Sequence, residues 1–520
     1  MEAGKQLMKK WQIYFILLLI LILGAALRIY NLGIESLWYD EVSSVDQALR
    51  DLPSLFYKFH LSPLYFLILK YWIRIAGASE FALRIPSVIF GVGAIFLIYK
   101  LSVALFNERV GLLSSFILSI SPFHIFYSQE TRHYALFVFL TLLSITLFLK
   151  ILKNKVPGIN LYISYGVSTI LLLYTTLWGI FVVVVQNLFY LQKVTQKKRW
   201  VITQIIIFII FLGWLVPFFM FIFENKEYLK ACIDWIQRPD VSSLAETFKT
   251  FSFGGSRCGG WDFFINPKEI WPSQGLLYIL GFLFISGELS SRSVNSGNIL
   301  FINLWLFIPI VSLFLCSFVF CPIFMIRYLI FVSPAYYILV AKGIDRIRNY
   351  LCQVVVILTI TILTLPSLDT YYTKELKINW KEAINYVETR IGRDEIIVIA
   401  PAHTSQMFSY YSRDGVKFQN KDKMKIAFIN DLGISMLRGG FIYRQTKNML
   451  IGVHDLTQFK ELISNDMTIV KNKGVWLMLV TRWFSDYPEV IKYFDDHYQE
   501  NDDGHHFDGE GISVYHYYSK

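Results

Sequence analysis

Long apolar runs recur through the first 370 residues of this 520-residue chain, separated by short connectors rich in Lys and Arg. From Trp11 to Tyr30 the only charged residue is Arg28. Runs of this kind reach the roughly 20 residues that carry a helix across a bilayer. Further spans are expected at 81–105, 110–127, 134–152, 160–175, 177–192, 200–222, 272–289, 296–319, 324–341 and 350–368. Ser62–Gly77 breaks the pattern. It is short, and Lys70 and Arg74 would lie deep inside a span, so it predicts an amphipathic helix on the membrane surface. Leaving it out gives about 11 spans and places the basic connectors, such as Lys150/Lys153/Lys155 and Lys342/Arg346/Arg348, in the cytoplasm. Counting it as a span would put them all outside, against the charge rule.

The first apolar run is longer than a signal-peptide core and no small-residue cleavage site follows it, which predicts a retained anchor with a cytoplasmic N-terminus. The fold expected is a polytopic α-helical protein of the plasma (inner) membrane. Residues 1–368 form its transmembrane domain, with external loops 31–80 and 223–271. Residues 369–520 form a small extracytoplasmic α/β domain. There, N-W-K-E-A-I-N-Y-V-E-T-R puts Trp380, Ala383, Ile384 and Val387 on one helical face. D-E-I-I-V-I-A-P and V-W-L-M-L-V read as buried strands, and Y-P-E-V-I-K-Y-F-D-D-H as a helix.

Charge follows this division. Residues 371–520 hold 19 Lys/Arg and 20 Asp/Glu, leaving 30 and 19 for the first 370, so the whole of the +10 net charge belongs to the membrane part. A basic membrane half is the rule for such proteins and is no argument for nucleic acid, for which no motif is present. Five cysteines lack metal-ligand spacing. Cys232 and Cys258 share one expected external loop, as a pair or as two thiols.

Candidate chemistry clusters at the expected outer ends of spans. Trp38 and Tyr39 lead into adjacent Asp40 and Glu41, where carboxylates beside an interface are costly unless they do proton chemistry or bind a cation. The bland reading is a helix N-terminus, whose dipole favours acids. S-P-F-H-I-F-Y-S-Q-E-T-R-H-Y-A-L brings Glu130, Arg132 and His133 to a second turn, as a structural Glu–Arg pair or as a wall of a site. Arg327, next to Tyr328, lies near the outer end of an apolar run. A fixed guanidinium there suits a phosphate, and the alternative is a snorkelling side chain. Lys58 and His60 precede the surface helix. His505–His506 reads as a solvated turn.

In order, L-W-Y-D-E, H-L-S-P-L-Y-F-L-I-L-K, E-F-A-L-R-I-P-S, S-P-F-H-I-F-Y-S-Q-E-T-R-H-Y-A-L and R-Y-L-I-F-V-S-P resemble the C-type glycosyltransferase superfamily. The nearest branch is related to protein O-mannosyltransferases and lipid A aminoarabinose transferases. The resemblance covers about residues 12–400. It implies an enzyme that moves a sugar from a polyprenyl-phosphate donor to a lipid, glycan or protein acceptor outside the membrane, with inversion. It places the acidic residue of the first external loop on Asp40 and the second-loop polar site on Glu130–Arg132. Where many relatives have Y-T-H-Y, this chain has Tyr174-Thr175-Thr176-Leu177. Asp40 is then the expected general base, with Glu41 beside it. Arg327, Tyr328, Arg132 and Lys58 would hold the donor phosphate, and Glu130, His133 and His60 the opposite wall or the acceptor. No metal ligand set and no obligatory cofactor is expected, and the acidic pair leaves a divalent cation open. The rival reading is a transporter or flippase of lipid-linked sugar. It would show repeated halves with broken helices, and no such symmetry is visible in the sequence.

Overall fold

The computed structural model describes residues 9–53, 62–191, 197–226, 233, 236–254, 270–289, 296–374, 376–392, 395–400, 404–412, 441–444, 449–452, 474–480, 488–500, 505–507 and 511–519. By contact they fall into two units. One lies within Met1–Gly33, Gln47–Phe221 and Ile233–Thr373, the other within Ile34–Asp46, Ile222–Cys232 and Lys374–Lys520. The helices in chain order are α1 (Lys10–Ile29), α2 (Tyr39–Leu49), α3 (Pro63–Ala76), α4 (Glu80–Leu105), α5 (Glu108–Ile120), α6 (Pro122–Ser128), α7 (Tyr134–Lys153), α8 (Ile159–Thr175), α9 (Ile180–Leu191), α10 (Lys197–Glu224), α11 (Val241–Phe253), α12 (Ile270–Glu288), α13 (Ser296–Val319), α14 (Ser333–Asp345), α15 (Tyr350–Thr373), α16 (Trp380–Arg390), α17 (Ser405–Tyr411) and α18 (Pro488–His497). Tight 3₁₀ turns occupy Leu177–Gly179 and Ile326–Val332.

The first unit is helical. Among the described residues, seven segments are long and apolar enough to cross a membrane, and α5 with α6 makes an eighth if taken as one bent span. Shorter apolar helices lie at Ile159–Thr175, Leu177–Tyr190 and Gln274–Glu288. Every segment expected to span is thus helical. The outer helices carry the signature of a lipid-facing surface. On α1, Ile13, Leu17, Ile20, Gly24 and Arg28 form one buried face, while Trp11, Phe15, Leu18 and Ile22 stay exposed. Water would reject such a surface, and hydrocarbon accepts it. The chain is a multi-pass membrane protein. The short segment after residue 61 is helical, as expected, over Pro63–Ala76.

Three expected spans are not single α-helices, and that at 177–192 opens as the 3₁₀ turn Leu177–Gly179. The run at 110–127 breaks between α5 and α6 with a 63° bend. The cause is Pro122, which has no N–H and pushes Ser121 into extended backbone (φ −63°, ψ 115°). Ser121 caps the new helix by accepting from the His124 N–H at 3.3 Å. The break leaves carbonyls of α5 without intrahelical donors. The fully buried Arg28 guanidinium donates to two of them, Ser119 O (2.9 Å) and Leu118 O (3.1 Å). It also reaches Gly24 O (3.0 Å), Ser128 Oγ (3.2 Å) and His124 Nδ1 (3.0 Å). The run at 324–341 likewise opens as the 3₁₀ turn Ile326–Val332 before Ser333–Pro334 starts α14.

Packing elsewhere follows membrane rules. α12 and α14 cross at Gly287 and Gly343, where an added Cβ would run into the backbone carbonyl of Leu339 or Leu283; small residues allow this approach. A polar network joins α7 to α10. Tyr165 donates to Gln186 Oε1 (2.8 Å), Gln186 Nε2 to Ser144 Oγ (3.0 Å), and Gln204 Nε2 to the Tyr165 hydroxyl (3.2 Å). Ser144 also bonds Thr169 at 2.9 Å. Part of the expected loop 223–271 is instead helix α11. Asp240 and Ser243 close its N-terminus reciprocally, and Tyr337 donates to Phe251 O at 2.9 Å to dock it on α14. Cys232 and Cys258 lie outside the described residues.

The second unit is α/β. Its strands are β1 (Ile396–Ala400), β2 (Phe441–Arg444), β3 (Met449–Gly452), β4 (Gly474–Leu479), β5 (Tyr498–Glu500), β6 (His505–Phe507) and β7 (Ile512–Ser519). The sheet order is β2-β3-β1-β4-β7-β5, with β6 also on β7. β1 runs parallel to both β3 and β4, in register from Ile396↔Met449 and Ile396↔Val475, and the flanking pairs are antiparallel. All six residues of β4 are buried, which explains its unbroken apolar sequence. The four apolar residues expected to share the face of α16 are all buried. His505–His506 is part of a strand rather than a turn. Glu395 sits under β4 and β7, accepting from Trp476 Nε1 (2.8 Å) and Gly392 N (2.7 Å), with His516 Nε2 at 3.3 Å. Burial lowers the His516 pKa despite the pull of that carboxylate.

Candidate active site

In the first unit, the turn between α6 and α7 carries Glu130, Arg132 and His133. Gln129 holds its start, donating to Arg28 O (2.9 Å) and Tyr30 O (2.8 Å) at the end of α1 and accepting from the Tyr371 hydroxyl. Arg132 N closes the turn on Glu130 O at 2.8 Å, and Ser87 Oγ donates to Arg132 O at 3.2 Å. Glu130 and Thr131 are fully buried and His133 nearly so, while Arg132 is half-buried.

The 3₁₀ turn Ile326–Val332 supplies the second piece. Phe331 packs on Phe137 of α7 at 4.6 Å. Arg327 lies over the Tyr328 ring at 5.6 Å, and Tyr328 stacks on Trp178 at 5.4 Å. Arg132 lies over Tyr134 at 5.9 Å. Burial first, then the charges of Arg132 and Arg327, push the His133 pKa well below the usual imidazole value. Both guanidiniums therefore bear on one neutral histidine. Two of the residues expected to hold a phosphate share a neighbourhood although 195 positions separate them in sequence.

In the second unit, Asp40 and Glu41 occupy the first turn of α2. Their surroundings differ. Glu41 is fully buried, accepts from Lys377 Nζ at 2.9 Å, and takes the Trp38 N–H at 3.3 Å. Asp40 is half-buried, and Ser44 Oγ donates to its carbonyl at 2.9 Å. The loop ahead of α2 is stitched to the region after 374. Glu35 Oε1 accepts from Leu376 N at 2.6 Å, and the Tyr411 hydroxyl accepts from Leu37 N at 2.6 Å. Lys58 and His60 lie outside the described residues. Among the described residues, no group of three or more His, Cys, Asp or Glu side chains could hold a metal ion. The sequence reading missed Lys377, which nothing local marks, and Arg28, whose charge in an apolar run was the available signal.

Residues 60–222 match the family model described as dolichyl-phosphate-mannose-protein mannosyltransferase. ArnT from Cupriavidus metallidurans superposes with a TM-score of 0.59 in its apo state, at 10% identity, over 97% of this chain and 98% of that one. The same protein bound to undecaprenyl phosphate gives 0.58 at 10% identity, over 98% of each chain. The archaeal oligosaccharyltransferase AglB from Archaeoglobus fulgidus, in complex with an inhibitory peptide and a dolichol-phosphate, gives 0.53 at 11% identity, over 94% and 73%. No curated protein matches the sequence. The chain therefore has the fold of the C-type glycosyltransferases. Within that class the sequence resemblance to the O-mannosyltransferase and ArnT branch is borne out, as is the reading of an enzyme, since the matched family and these relatives are glycosyltransferases.

Proposed function

We propose that the protein transfers a sugar, with inversion, from a polyprenyl-phosphate donor to an acceptor on the outer side of the membrane. The observation that carries this reading is the pair Arg132 and Arg327, both close enough to the buried His133 for their charges to add to the effect of burial in lowering its pKa. A leaving phosphate monoester needs fixed cations where its charge develops, and two guanidiniums in one neighbourhood supply them. The relatives solved with undecaprenyl phosphate and with a dolichol-phosphate support a lipid-phosphate ligand of this class. Glu130 and His133 form the wall beside the cations, with His133 as a neutral hydrogen-bonding group. Tyr328, between Arg327 and Trp178, lines the donor side.

Asp40 is the general base. The acceptor hydroxyl loses its proton to this carboxylate as its oxygen attacks the anomeric carbon; the C–O bond to phosphate breaks and the electron pair leaves with the phosphate. Glu41 already holds Lys377, and its role is to fix the loop. Lys58, as a further cation for the phosphate, and His60, on the acceptor side, belong to this reading by their chemistry alone. A monophosphate leaving group held by arginines requires no metal, and a divalent cation would enter only beside Asp40. The test is transfer by purified full-length protein in lipid, with a panel of polyprenyl-phosphate sugars and a membrane extract as acceptor. Wild type should release label from a donor, and Asp40→Asn and Arg327→Ala should not. Normally folded variants that keep full transfer would refute the assignments, and lipid movement without new glycosidic bonds would point to a carrier.

A further inference from the structure

Lys70 is a buried cation that the proposed reaction does not use. It lies on the surface helix α3, where its charge made the segment unfit to span, yet only 9% of the residue is exposed. Its ammonium donates to Ala48 O at 3.2 Å and Arg50 O at 2.5 Å. Those carbonyls end α2, the helix whose first turn carries Asp40. The last carbonyls of a helix have no intrahelical donor, and the C-terminal end of the dipole favours a cation. α3 is itself fixed, with Trp72 Nε1 donating to Ala82 O at 2.7 Å and the Tyr65 hydroxyl bonded to Ser87 Oγ at 3.3 Å.

We infer that Lys70 is a positioning residue: by closing the C-terminal end of α2 it sets where the helix presents Asp40. α2 has 11 residues, about three turns, so a displaced end tilts the other. At the opposite end the Glu41–Lys377 pair holds the first turn. The helix is thus restrained at both ends by a buried lysine. Ser87 of α4, which bonds Tyr65 of α3, also donates to Arg132 O. This inference rests on the reading of Asp40 as the base.

The experiment uses full-length protein in lipid nanodiscs, comparing wild type with Lys70→Met, Lys70→Arg and Arg74→Met, the last an exposed cation of the same helix. Hydrogen exchange is followed in residues 39–49, and kcat and KM with the polyprenyl-phosphate sugar panel. Lys70→Met should speed exchange in α2 about tenfold. It should lower kcat on the order of 10- to 100-fold, with donor KM within about twofold. Lys70→Arg should restore both readouts, and Arg74→Met should match wild type. Unchanged exchange and kcat in Lys70→Met overturn the inference, as does an equal loss in all three variants. The base reading fails separately if Asp40→Asn keeps full kcat while Lys70→Met still loosens α2.

Discussion

Two helix breaks in the membrane unit, at Ser121–Pro122 and Ser333–Pro334, are built from the same dipeptide and each has an arginine beside it. Their arginines do different work. Arg28 is fully buried and spends its guanidinium on the carbonyls freed by the first break, on Ser128 and on His124. Arg327 lies in the 3₁₀ turn of the second break, half-exposed over Tyr328. An arginine in an apolar run is a functional candidate by default, but the default fails when backbone carbonyls already occupy the guanidinium. The deciding question is where its donors point.

The comparison would break most clearly at Arg28. Arg28→Met strands two buried carbonyls and should cost about 3 kcal/mol or more of stability, read as a large drop in the detergent unfolding midpoint and in the yield of folded protein. If the arginine of the first break were catalytic instead, the variant would fold normally and lose only turnover. At the second break the opposite holds. Arg327→Ala should leave the midpoint nearly unchanged and lower transfer about 100- to 1,000-fold, and Arg327→Lys should recover only part, since an ammonium does not reproduce the planar fork.

A smaller effect concerns His133. Acidification protonates this histidine in the unfolded chain first, because its folded pKa is held well below 6.5. The unfolded state then binds more protons, so this one group destabilises the fold as pH drops below about 6.5, by at most about 1.4 kcal/mol per pH unit, and contributes no slope above it. His133→Asn should flatten that part of the midpoint-against-pH curve. The smallest effect is expected from Trp178→Leu. It removes the ring beneath Tyr328 and should raise donor KM a few-fold, as for an aromatic pair of about 1 kcal/mol.

Much of this was legible in the sequence. The spans, α3, α16 and the two buried strands follow from hydrophobic period and length, because those signals are local. The break at 121 was hidden because hydropathy continues through Pro122. Strands β2 and β3 have four residues each, too few for alternation to show. The Glu41–Lys377 pair joins residues 336 apart, so nothing local told Glu41 from Asp40. Arg132 and Arg327 were recognised singly, as polar residues at span ends. Their convergence depends on Phe137 packing against Phe331, a tertiary contact with no local trace.

The network of Tyr165, Gln186, Ser144, Thr169 and Gln204 has a consequence for how the chain is made. Each polar group finds a partner on a different helix, so these bonds form only once the helices meet. A glutamine entering hydrocarbon singly is penalised, and the penalty is relieved only when a neighbour supplies its donor or acceptor. Entry of α7 to α10 as one block would spare these groups that penalty.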